Sequence, residues 1–69
     1  MKFSLERSII TVTQHDGLWA VEHEGRYFGH DVDKDIARAA AHRHARLMVD
    51  RGTACQVRIK GEAGYFSVA

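Results

Sequence analysis

Five histidines and one cysteine are the residues of this chain best suited to chemistry, as metal ligands, proton carriers or a nucleophile. Their spacing argues against each role. His42 and His44 lie two apart on a helical segment, about 200° around its axis, and do not close on one ion. His23 and His30 are expected on one sheet face but roughly 13 Å apart along the strands. His15 falls at a turn tip beside Asp16. Neither Cys-x-x-Cys nor His-Glu-x-x-His spacing occurs. No metal site and no cofactor is therefore expected, and His44 reads as a hydrogen-bonded histidine at the core boundary.

Cys55 is the only thiol. Its alternation points it inward, where cysteine behaves as a small hydrophobe. A catalytic thiol needs exposure and a nearby base, and His44 across a helix–sheet interface is the one candidate base. Ser4, Ser8 and Ser67 lie in no nucleophile-elbow motif. The glycines form no phosphate cradle, and Asp31, Asp33 and Asp35 around the helix start repel a phosphate. A module this small rarely supplies a pocket of about 300 Å³. The expectation is a protein that is not an enzyme.

Two tight turns set the frame for these residues. A two-residue loop at Asp16-Gly17 pairs Val12 with Val21 and Ile10 with His23. A second at Glu24-Gly25 pairs Val21 with Phe28 and Trp19 with His30. Both select one apolar face holding Ile10, Val12, Trp19 and Val21. Strands are expected at about 7–14, with Phe3 and Leu5 as a backward extension, then at 18–24 and 26–30. A helix follows over 33–51, with Asp33 as N-cap and Gly52 just past its end. Arg46 and Arg51 suit the negative end of its dipole. At 100° per residue, Ile36, Ala37, Ala40, His44, Leu47 and Met48 form its core stripe.

A fourth strand at 54–60 turns Cys55, Val57 and Ile59 inward. Gly61 to Gly64 is a turn, and a fifth strand then sets Phe66 opposite Ile59 and Val68 opposite Val57. The fold class is α+β: β-β-β-α-β-β, one mixed sheet with a helix on one face. A right-handed crossover gives strand order 3-2-1-4-5, with 1-2-3-4-5 as the alternative. The 69 residues form one domain, with residues 1–6 at its frayed margin.

Composition narrows the function class. A lone cysteine excludes an internal disulfide, and no apolar run approaches the roughly 20 residues of a membrane span. No signal-peptide pattern is read at the start, so a bacterial cytoplasmic location is expected. Charge is segregated: residues 15–35 carry six acids against two bases, and residues 36–61 six bases against one acid. Such polarity steers a partner or a second copy of the chain.

The Gly17 and Trp19-Ala20-Val21 hairpin, the helix alanines and Val57-Arg58-Ile59-Lys60-Gly61-Glu62-Ala63-Gly64 resemble a family of small bacterial proteins, domain of unknown function 2188. The resemblance spans about residues 8–66 and implies no activity. Leu18 separates the glycine from the tryptophan, and Asp33-Lys34-Asp35-Ile36-Ala37 replaces the family's Thr-x-x-Glu-Ala helix start. A weaker resemblance is to HicB-type antitoxin domains, whose aromatic-Pro-Asp-Leu-Pro-Gly segment has no counterpart in this proline-free chain. It implies a toxin-neutralising role by fold analogy alone.

One helix leaves the other sheet face uncovered, carrying Thr11, Thr13, Leu18, Ala20, Glu22, Tyr27, Arg58 and Tyr65. The leading expectation is a non-enzymatic module that self-associates or binds a protein there, through Thr11, Leu18, Ala20, Tyr27 and Arg58. The alternative is nucleic-acid binding by the outer helix face, through Arg38, His42, Arg43 and Arg46. Asp35 and Asp50 interrupt that stripe.

Overall fold

The computed structural model describes residues 8–62, 64 and 66–68, the last three through their backbone. Its elements are β1 (Ser8–His15), β2 (Leu18–His23), β3 (Arg26–Asp31), α1 (Lys34–Asp50), β4 (Cys55–Ile59) and β5 (Phe66–Val68). They form an α+β domain with one mixed sheet in the order β3-β2-β1-β4-β5. The proposed extension through Phe3 and Leu5, the margin 1–6 and Tyr65 lie outside the described residues.

Both hairpins are built as the dipeptides demand. Asp16 and Gly17 have φ 54 and 78, and Glu24 and Gly25 have φ 53 and 83. Two successive positive φ values give the mirror-image turn whose twist matches that of the strands. The first hairpin pairs Val12 with Val21 and Ile10 with His23. β4 then lies parallel to β1, with Val57 beside Ile10 and Arg58 beside Thr11.

Two registers differ from the sequence reading. β3 carries one extra residue, so Trp19 pairs with Asp31 and not with His30. The cause is a β-bulge at Gly29, whose φ of 66 suits glycine and few other residues. At the other end, Val57 pairs with Phe66 and Cys55 with Val68, two residues from the expected register. Glu62 N–H donates to the Ile59 carbonyl at 3.1 Å, so the turn already begins at Ile59.

Helix α1 starts at its expected cap: Asp33 accepts from Asp35 N–H at 2.8 Å, and Asp31 accepts from Asp33 N–H at 2.8 Å. It ends where Gly52, at φ 94, donates to Val49 and Thr53 donates to Met48. No basic residue stands in its last turn; Arg51 is the C-cap residue and Arg46 lies a turn earlier.

The buried face overlaps the expected stripe but is turned from it. Ala37 is fully buried, Ala40 and Met48 pack against the core and His44 is half-buried, as expected. Ala41 and Ala45 are also fully buried, whereas Ile36 is 52% and Leu47 58% exposed. The helix is rotated roughly a quarter turn from the arrangement that buries its largest side chains. The reason lies at the bulge. A Cβ on Gly29 would meet the Ala40 Cβ at 3.2 Å, so helix and sheet approach too closely there for leucine or isoleucine. The core is thin: Ile10, Val12, Val21, Cys55, Val57 and Ile59 below, alanines above, with Trp19, Phe28, Ala40 and Met48 at its margin.

Candidate functional site

The sequence reading keeps His42 apart from His44 and His23 apart from His30. The structure sorts four of the five into two other contacting pairs, one on each side of the sheet.

The first pair joins the sheet to the helix. His44 Nε2 lies 3.2 Å from His23 Nδ1, and His23 Nε2 lies 3.2 Å from Ser8 Oγ. Phe28 packs edge-on against His44 at 4.9 Å. Beside the pair is a cleft of about 490 Å³ lined by His23, Glu24, Arg26, Phe28 and His44, larger than expected of so small a chain. The His44 pKa is lowered, first by burial and then by the charges of His23 and Arg51. In each contact one atom must donate and the other accept.

A serine beside an imidazole begins a nucleophile–base pair. Here the group behind the base is a second histidine, where the best-known triads place a carboxylate. The three side chains link β1, β2 and α1. His44 is engaged with His23. Cys55 is fully buried, and its thiol donates to the Thr53 carbonyl at 3.5 Å. Burial pushes that thiol pKa up, the opposite of what a thiolate nucleophile needs.

The second pair stands on the open sheet face. The extra residue at Gly29 carries His30 away from the face of His23, correcting the expectation that the two share a side. His30 Nε2 lies 2.9 Å from His15 Nδ1. The His15 ring stacks on Tyr27, with centroids 3.8 Å apart and planes 6° from parallel. Asp16 Oδ2 lies 3.6 Å from the same His15 nitrogen. An isolated glycine within a strand pattern is the sequence signal for such a bulge, and Gly29 carried it.

The remaining open-face residues fall into cross-strand rows. Register places Tyr27, Glu22, Thr11 and Arg58 side by side across four strands. Thr11 and Leu18 are half-buried and Tyr27 is 43% exposed. Ala20 is fully buried on this side, so it lies beneath the contact surface and not on it. Ile9, not singled out from sequence, is 43% exposed on the same face. Arg58 donates to Gln56 at 3.2 Å, and Glu22 accepts the Gly25 N–H at 2.7 Å.

The basic helix stripe is partly committed elsewhere. Arg38 lies 2.9 Å from Asp35 and 3.9 Å from Glu62, and Lys34 reaches Glu62 at 2.9 Å. Lys34 also stands 5.0 Å above the Trp19 ring. His42 is half-buried, which leaves Arg43 and Arg46 as the exposed members of the set. Among the described residues, no helix is long and apolar enough to cross a membrane. Comparison of the chain with protein-family models, curated proteins and solved structures yields no match.

Proposed function

We propose that this chain is a non-enzymatic interaction module of the bacterial cytoplasm that pairs with a second copy of itself through its open sheet face. The observation carrying this reading is the row Glu22–Thr11–Arg58, in which opposite charges flank Thr11 one strand away on either side. A two-fold axis lying in the interface along β1 sets Glu22 of each copy against Arg58 of the other. Ile9 and Tyr27, both 43% exposed, give the same face apolar area to bury. The contact is small, so the association belongs to the weak, transient class.

Sedimentation velocity over a wide concentration range tests the proposal. The expected result is a monomer–dimer equilibrium weakened by Glu22→Arg or by Arg58→Glu alone. The double reversal restores it, because each new charge meets its opposite. A strict monomer at high concentration, or a double variant no better than the single ones, overturns it. Duplex binding at low salt that depends on Arg43 and Arg46, in a chain that stays monomeric, would favour the nucleic-acid reading instead.

A further inference from the structure

We infer that His15, Asp16 and His30 form a binding site for a divalent transition-metal ion of the zinc class. The three residues each offer one ligand atom, and these atoms all lie within 4.8 Å of one another. A tetrahedral ion with bonds of about 2.0–2.1 Å spaces its ligand atoms about 3.3 Å apart. Two of the three separations, 2.9 Å from His15 to His30 and 3.6 Å from His15 to Asp16, lie on either side of that spacing, and the third is within 4.8 Å. An entering ion replaces the His15–His30 hydrogen bond.

Backbone features bring the three residues together. Asp16 follows His15 at the first hairpin, in the left-handed conformation at φ 54. His30 is brought to this face by the Gly29 bulge, a device that often re-aims a side chain. His15 is held flat against Tyr27 at 3.8 Å. Rigid support of this kind raises affinity by reducing what must be ordered on binding.

Two imidazoles and one carboxylate suit Zn²⁺, Co²⁺ or Ni²⁺ better than Mg²⁺ or Ca²⁺, which prefer all-oxygen shells. Three protein ligands leave a fourth position open to water or to an outside ligand. The site is accessible, with the Asp16 side chain 81% and that of His15 34% exposed. The second pair, His23 with His44, serves as an internal control: it has two imidazoles in contact, and among the described residues no carboxylate groups with them. The inference does not rest on self-association, because it is read on dilute chain.

The experiment is titration of the tag-free protein with Zn²⁺ by calorimetry and with Co²⁺ by visible absorption. One ion per chain and a Co²⁺ band typical of four-coordination are expected. His15→Gln and His30→Gln each weaken binding more than about tenfold. His44→Gln leaves it unchanged. Histidine ring shifts in the unsubstituted chain give a readout independent of any variant: on adding Zn²⁺, those of His15 and His30 move and those of His23 and His44 do not. Absence of binding, retention of full affinity in His15→Gln and His30→Gln, or ring shifts at His23 and His44 alone would overturn the assignment.

Discussion

Gly29 and Ala40 meet at a close approach of sheet to helix: a Cβ on Gly29 would stand 3.2 Å from the Ala40 Cβ and 3.5 Å from Val21 Cγ2. The glycine also has φ 66, so it permits both the bulge and the contact. Gly29→Ala is expected to destabilise the domain by about 2–4 kcal/mol, combining a left-handed side chain with overpacking. Adding Ala40→Gly relieves only the contact component, offset by the roughly 1 kcal/mol that glycine costs inside a helix. Urea unfolding of both variants and of Ala40→Gly alone separates the terms.

The rotated helix makes a prediction that a helical wheel would reverse. Ile36→Gln and Leu47→Gln should each change stability by less than about 0.5 kcal/mol, as exposed substitutions do. Ala41→Leu, at a fully buried position, should cost about 1–3 kcal/mol. Thermal or urea unfolding reads both, and a large loss at Leu47 would contradict the observed packing.

His44 predicts how stability follows pH. Burial, then the charges of His23 and Arg51, hold its pKa below the ordinary value. The unfolded chain therefore binds a proton near pH 6.5 where the folded chain does not. Stability is full above about pH 6.5, falls as pH drops through the folded pKa, and levels off below it. His44→Gln should flatten that segment in unfolding curves taken from pH 8 to 5. Glu62, whose pKa is lowered chiefly by its hydrogen bond from Lys34, acts in a separate window below about pH 4.5.

Cys55 should be inert in the folded chain. Its thiol is fully buried and its pKa is raised by that burial. An aromatic disulfide reagent is expected to react only as fast as the domain opens, with the rate rising through the urea transition. Rapid reaction under native conditions would show an exposed thiolate.

The hairpin frame was legible because Asp16-Gly17 and Glu24-Gly25 each admit only a few backbone conformations. A two-residue loop then fixes the register of both strands. The helix limits were legible for a similar local reason, the Asp33 cap and Gly52 beyond the far end. Of the two strand orders the sequence allows, 3-2-1-4-5 and 1-2-3-4-5, the structure has the first, the one a right-handed crossover favours.

The candidate sites were less legible. His15 and His30 are fifteen residues apart and meet only because one extra residue at Gly29 reverses the side on which His30 emerges. His44 is the hydrogen-bonded histidine at the core boundary that was expected, but its partners, His23 and through it Ser8, come from strands far away in sequence.

By itself, then, the sequence determined the elements, the helix caps and the two hairpin turns, and it narrowed the strand order to two. The elements, caps and turns rest on conformational preferences of neighbouring residues. Tertiary structure decided between the two orders, set the rotation of the helix and chose which histidines touch. The alanine face of α1 is selected by its close approach at Gly29, a contact between residues eleven apart, so it leaves Ile36 and Leu47 exposed against their own hydrophobicity. Hydrophobic periodicity records how much apolar surface a helix has; the distance at which the sheet receives it decides which part is used.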